Sequence, residues 1–459
     1  MSLLNVLINN LPSVSSPTQK KLPFKEKAKW TIIMLVAFFI LGIVPLFGLG
    51  ASFLEQFEYL SMILAAEFGS LVSLGIGPIV TASIVLQLLN GSGIWKFDLT
   101  SAEGKSFFQG VQKLLAIFFV IFESFIFVML GALGAESPNL RWVLIFQLIL
   151  GGFLIILMDE VVQKWGIGSG ISLFIAGGVS KEIFVKAFSW IKLEGSDYSV
   201  GAVIRFFEAI FAADLAIAGQ SLGLIISTLV IFAIAVYLQA MKVEIPLSFG
   251  RVRGHGVRWP LNFLYTSVLP VILVAALFAN LQLLAQMLVS KGYGFLGNPE
   301  NNTGFVSWLH APGDHTGLIG LIIQSGGFFN IGITPYLQSI TYMLAMIIGC
   351  VVFSYFWVQT AGMDAKSQAK NMMSSGLQIP GFRKDQRVLE RLLKRYIGPL
   401  TIMGGIAIGF IASFADILGA LSMGTGILLA VMIIYKIYEE IAKQHMMDMH
   451  PAMRKFMEK

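Results

Sequence analysis

The chain has 459 residues, of which 56% are hydrophobic and 13% charged, and its mean hydropathy is +0.78. That composition excludes an ordinary soluble domain of this length, and the lone cysteine, Cys350, excludes an intramolecular disulfide and a thiolate metal site. The net charge of +6 would suit a nucleic-acid partner, but in a membrane protein the placement of the cations says more than their sum.

Lys20, Lys21, Lys25, Lys27 and Lys29 lead into the first apolar window, residues 31–50. No A-x-A site follows a short apolar core, so no cleavable leader is expected. The next apolar stretch, 53–66, carries Glu55 and Glu58 and reads as a short helix that dips in without crossing. Residues 74–89, LGIGPIVTASIVLQLL, open on Gly75, Gly77 and Pro78. A spanning helix needs ~20 apolar residues, so this run reads as a half-helix. Broken backbone survives at membrane depth only where it is buried in protein or lines a cavity, and the other helices are therefore expected to be built around this one.

Further apolar windows lie at 114–133, 142–158, 171–190, 222–240, 261–284, 336–358, 399–415 and 419–435. The pattern is that of an all-α polytopic membrane protein with ten transmembrane helices, and an even number puts both termini on one side. Of the 32 Lys and Arg residues, about 26 fall on the side of the termini, which marks that side as cytoplasmic. Two cytoplasmic loops stand out, 241–260 and 361–397, the second carrying Lys366, Lys370, Arg383, Lys384, Arg387, Arg391, Lys394 and Arg395. On the outer side, residues 205–218 suit an amphipathic helix lying on the interface, and the long loop 292–334 holds a short apolar piece at 318–323. Ten spans are compatible with two inverted five-helix halves, because an odd unit repeated in tandem must flip.

Catalytic motifs are missing: there is no HExxH, GxSxG or P-loop pattern, and neither an enzyme nor a cofactor is expected. His310, Asp314 and His315 form HAPGDH in a Gly/Pro-rich loop without a further ligand nearby, and His255, His445 and His450 lie in solvated cytoplasmic segments, so no metal is expected. Glu123 is the strongest ionisable candidate at membrane depth. It reads equally as a buried, hydrogen-bonded residue and as a functional one, with Thr81 and Asn280 as polar partners on other spans. Beside the glycine breaks, Ile76 and Val80, and Ile171 and Ile175, are spaced i, i+4, each pair on one helix face. The pairs read as plain packing or, in a channel, as an apolar constriction.

LGIGPIVTASIVLQLLNGSG (74–93), DEVVQKWGIGSGISLFIAGG (159–178), KVEIPLSFGRVRG (242–254), SVLPVILVAALFAN (267–280), QIPGFRKDQR (378–387) and GALSMGTGILL (419–429) together resemble the SecY family, channel subunits of the protein translocon, in its archaeal and eukaryotic branch. The resemblance runs in order over the whole chain. It implies ten spans in two inverted five-helix halves, 1–190 and 191–435, forming a clamshell around an hourglass pore, with a cytoplasmic tail at 436–459. It implies a lateral gate between the second/third and seventh/eighth spans. The family's pore ring falls on Ile76, Val80, Ile171, Ile175, Ile272 and Leu429, its plug on residues 57–66, and its lateral-gate polar cluster on Thr81, Glu123 and Asn280. Ribosome contact falls on Arg251 and Arg253 in one loop and Arg383 and Lys384 in the other. The implied partners are SecE and a small beta subunit, the ribosome, signal sequences, nascent chains and membrane lipid, and the implied location is the cell membrane. The activity implied is translocation of unfolded secretory polypeptides and lateral release of transmembrane segments. Two other readings stand beside it: a secondary transporter with broken helices and inverted repeats, and an insertase or assembly scaffold without a pore.

Overall fold

The structure is a computed structural model that describes the chain apart from residues 1–5, 7, 9, 19–21, 51–68, 92–93, 96, 98–100, 130–132, 193–196, 250–255, 267–268, 291–293, 295–296, 298–303, 314–316, 375–376, 379–384, 423 and 450–459. Most of each apolar window lies on a helix: α1 (Phe24–Ile43), α2 (Gly77–Gly91), α3 (Ala102–Met129), α4 (Leu140–Trp165), α5 (Gly170–Phe188), α7 (Leu215–Ala240), α8 (Leu269–Ser290), α10 (Thr334–Thr360), α12 (Gln386–Leu418) and α13 (Gly424–Met449); the window 31–50 outruns α1, and the window 261–284 opens on a strand that ends at Asn262, its helix beginning only at Leu269. Of these, α3, α4, α7, α10 and α12 are long and apolar enough to cross a membrane, and α2 and α8 are shorter apolar helices. Among the described residues the remaining α-helices are α6 (Ala202–Phe211), α9 (Gly317–Gln324) and α11 (Ala365–Ser374).

Local chemistry sets several ends. The Asp385 side chain accepts the Arg387 N–H at 2.9 Å to open α12, and Pro335 in the first turn of α10 sits where its missing N–H costs nothing. The expected interface helix 205–218 is in fact broken. Ala213 takes φ 57, and Asp214 caps a new helix by accepting the Ile217 N–H at 3.2 Å, so α6 ends at Phe211 and α7 begins at Leu215. The last helix also runs past the apolar window 419–435 to Met449, so the expected tail begins as a continuation of α13.

Outward faces are apolar. On α10 the exposed Leu337, Ile340, Leu344, Ile348, Val352 and Tyr355 recur every three or four residues, a stripe that suits hydrocarbon and would be unstable in water. Inward, one core cluster gathers Phe38, Ile79, Val120, Ile155 and Phe174 from α1 to α5. A larger one gathers Ile231, Val271, Met346, Ile408 and Leu428, and reaches Val80, Ile84 and Ala176 on α2 and α5.

The segments read as two separate loops form one body. Residues Lys242–Phe249 (β1) and Gly256–Asn262 (β2) pair antiparallel from Lys242↔Asn262 to Ser248↔Gly256. From the second loop, Leu377–Gln378 (β3) adds to the other edge of β1 through Phe249↔Leu377 and Ser248↔Gln378. Under this sheet Ile245, Leu261, Tyr265, Ala369, Met372, Leu389 and Leu393 make their own apolar core, and the Tyr265 hydroxyl donates to the Met363 carbonyl at 2.7 Å. At 33 residues, α12 is ~50 Å long against a hydrocarbon thickness of ~30 Å, so its first turns stand outside the apolar layer as part of this body.

Candidate functional site

The site grows from two helix starts. Before α2 the chain makes successive tight turns, with the Gly75 N–H donating to Val72 at 2.8 Å and the Gly77 N–H to Leu74 at 3.2 Å. Gly75 holds φ +53, a conformation that costs other residues strain. Ile76 closes this turn and Val80 follows one helical turn on. The start of α5 is fixed differently. Its backbone lies on α4 so closely that a Cβ on Gly170 would stand 2.6 Å from Asp159 Cα. There the buried Asp159 carboxylate accepts the Ile171 N–H at 2.9 Å and the Gln163 amide at 2.7 Å. Ile171 and Ile175 thus sit on a helix end clamped to its neighbour.

Two cavities are lined by these residues. One, of about 710 Å³, is lined by Ile76, Ile175, Glu182, Phe278, Tyr342 and Asp416 among others. The second, of about 810 Å³, is lined by Val80, Ile171, Ile175 and Ile272 together with many polar side chains. Ile175 lines both. Leu429 lines neither; it is buried in the cluster that holds Val80 and against which Ile76, Ile175 and Ile272 pack.

The three polar residues separate into a pair and a single. Glu123 on α3 interacts with the Thr81 hydroxyl on α2, and its Oε2 lies 3.6 Å from where a Cβ on Gly77 would stand. Asn280 on α8 is exposed and, among the described residues, is not hydrogen-bonded to either. Arg251, Arg253, Arg383, Lys384 and residues 57–66 lie outside the described residues. The strands that lead to the two basic tips are described, and β1 and β3 pair directly before them.

Glu123 is not the only buried carboxylate. Asp159 and Asp416 are both enclosed; Asp416 stands alone in its apolar run, a signal that could have singled it out, whereas Asp159 is followed directly by Glu160 and reads as the polar end of its span. At the α12–α13 junction the Tyr342 hydroxyl donates to Asp416 Oδ2 at 2.6 Å and the Gly424 N–H donates to Oδ1. Both oxygens therefore have structural partners that tie α10, α12 and α13 together. In the same cavity Ser422 donates to Glu182 at 2.9 Å, and Lys186 pairs with Glu182 at 2.7 Å.

Among the described residues no group of three His, Cys, Asp or Glu side chains is placed to hold a metal. What the arrangement offers is two chambers that share Ile175 in their walls, with aliphatic side chains on both and carboxamide and hydroxyl side chains on the second.

A family model described as SecY matches residues 70–438, and one described as the plug domain of Sec61p matches residues 36–69. The protein translocase subunit SecY of Methanothermobacter thermautotrophicus is 43% identical over 98% of this chain and 97% of its own. A solved SecY, described for a plug domain that stabilises the closed translocation channel and maintains a membrane seal, superposes with a TM-score of 0.83 at 40% identity, covering 98% of this chain and 99% of that one. Sec61 of the canine ribosome–channel complex from the endoplasmic reticulum gives 0.79 at 39% identity with the same coverage, 98% and 99%.

Proposed function

The chain belongs to the SecY family, and from that premise we propose how it acts as the protein-conducting channel subunit of a protein translocase. It moves unfolded secretory polypeptides across the membrane and releases hydrophobic segments sideways into lipid. The observation that carries this reading is that Ile175 lines both cavities. Ile76, Val80, Ile171, Ile175, Ile272 and Leu429 form the collar of an hourglass pore: aliphatic side chains give a passing chain no hydrogen bond to stall on and close around varied residues by contact.

Ten spans in two inverted halves, 1–190 and 191–435, make the clamshell, with both termini in the cytoplasm of a cell-membrane protein. Support comes from the ten helices on the ten apolar windows, the two core clusters and the bias of the cations. The lateral gate opens between α2/α3 and α8/α10, with Thr81, Glu123 and Asn280 as its polar seam. The packing of α2 against α8 and α10 supports this, as does the Thr81–Glu123 contact. The plug falls on residues 57–66, a reading supported by the plug-domain match over residues 36–69.

No ATP-binding motif is present, so elongation by a docked ribosome drives transport. Arg251, Arg253, Arg383 and Lys384 meet ribosomal phosphates. The pairing of Phe249 with Leu377 supports a shared landing surface, because the two tips leave from neighbouring strands. SecE and a small beta subunit complete the complex. A solute transporter is disfavoured by the engagement of both Asp416 oxygens and by the lack of a carboxylate among the described residues lining the 810 Å³ cavity.

The test is cross-linking of ribosome-stalled secretory chains of graded length to Ile175→Cys in a Cys350→Ala background. A cross-link confined to one window of chain length is the expected outcome. Cross-linking at no length would overturn the assignment.

A further inference from the structure

The cavity of about 810 Å³ is lined by an unusual set of side chains: Gln87 and Asn90 on α2, Gln109 and Gln112 on α3, and Gln359 and Gln368 across from them. Val80, Ser83, Gln87 and Asn90 share one face of α2, so the apolar junction passes into carboxamides along a single helix. Neighbouring amides are used internally, Gln112 donating to Ser83 at 2.6 Å and Asn90 accepting the Phe97 N–H at 3.1 Å. Gln87 is different. It is only 6% exposed, and its Oε1 is buried without a hydrogen-bond partner among the described residues.

A buried carbonyl oxygen without a donor is disfavoured, and the side chain that carries this one lines the cavity, so a turn of its carboxamide would bring the oxygen to a ligand there. The ligand that suits the lining is neutral, because no carboxylate lies among the described lining residues to attract a cation and the only cationic side chains are Lys105 and Lys370. It also carries donors and acceptors in alternation, since a carboxamide offers both. A polypeptide main chain meets these demands whatever its side chains are.

We propose that this cavity is a main-chain reading site, in which Gln87 accepts a hydrogen bond from a backbone N–H of an extended polypeptide just before it enters the apolar junction. The inference rests on the channel reading above and adds to it how a chain of any sequence is held in an extended form at the entrance. Ser83 and Gln112, already paired, line the same cavity as Gln87.

The test uses the full chain in lipid nanodiscs and a fluorescent synthetic secretory peptide in two forms, one with a normal backbone and one with alternate amides replaced by esters, which removes N–H donors while keeping the side chains. Wild type is expected to bind the ester form about two- to tenfold more weakly, the range of one hydrogen bond. Gln87→Leu is expected to bind the normal peptide more weakly by a similar factor and to lose the discrimination between the two forms. Equal binding of both forms by wild type overturns the proposal without recourse to any variant, as does undiminished discrimination by a folded Gln87→Leu protein. Transport of the normal peptide into proteoliposomes is followed in parallel. Loss of discrimination with transport intact removes the reading site alone, whereas absence of binding and transport in wild type removes the channel reading and this proposal with it.

Discussion

The Asp159 carboxylate accepts the Ile171 backbone N–H at 2.9 Å, so a side chain near the end of α4 holds the first turn of α5, which carries Ile171 and leads into the turn of Ile175. Asp159→Ala leaves that N–H without its acceptor at a buried contact and is expected to cost about 1–3 kcal/mol. It should also raise resting ion conductance, because α5 is freed to shift. Asp159→Asn keeps one carbonyl acceptor and should stay near wild type. Thermal unfolding and planar-bilayer conductance read the two effects, and an Ala variant as stable and as tight as wild type would remove Asp159 from this role.

Replacing Ile76, Val80, Ile171 and Ile175 together with Gly should leave a folded protein that leaks. Ile76 lines the first chamber, Val80 and Ile171 the second, and Ile175 both, and each side chain lost opens a gap to water. Bilayer conductance decides it; a folded quadruple variant with wild-type tightness would sink the collar.

Tyr342→Phe should destabilise the α10–α12–α13 junction by about 1–3 kcal/mol, because the hydroxyl that donates to Asp416 at 2.6 Å is lost while the carboxylate stays buried. The readout is the unfolding midpoint in lipid. A midpoint unchanged from wild type would mean that Asp416 finds another donor.

Two glycines should respond to Ala in opposite ways. A Cβ on Gly151 would stand 1.8 Å from the Leu71 carbonyl oxygen, a backbone atom that cannot rotate aside, whereas one on Gly178 meets nothing within 4 Å. Gly151→Ala should therefore lower stability by several kcal/mol or abolish folding. Gly178→Ala should be neutral or stabilise by up to about 1 kcal/mol, since Ala suits a helix interior better. Expression level and unfolding midpoint compare them, and a Gly151→Ala protein of wild-type stability would contradict the close approach.

Outside the spans, the Glu208 carboxylate is held below its usual range chiefly by the Ser199 backbone N–H, with the Ser199 hydroxyl and the Lys192 ammonium adding to it. A depressed carboxylate contributes stability above its ordinary pKa of about 4.3 and loses it as pH falls through the lower folded value. The difference in unfolding midpoint between wild type and Glu208→Gln should be constant near neutrality and shrink below about pH 4. A difference independent of pH would show that the contact does not depend on the charge.

The sequence by itself determined the apolar windows and the breaks before Gly77 and Gly170, because hydrophobic run length and glycine conformational freedom are written in consecutive residues. Thr81 and Glu123 were also legible as polar residues in apolar helices, for which lipid supplies no partner. Residues 205–218 kept their amphipathic pattern across a break that depended on one left-handed alanine and one capping aspartate, features that periodicity does not register. The alternation Val243, Ile245, Leu247, Phe249 was a strand signal hidden by reading the segment as a loop. Only the tertiary structure decided that β1 meets β3 from a distant part of the chain, that Asp159 serves Ile171 on another helix, and that Gln87 lines the second cavity with its Oε1 lacking a hydrogen-bond partner among the described residues. Each of these depends on which helix faces lie together, a relation between residues far apart in sequence that is set by the packing of the whole bundle rather than by any local pattern.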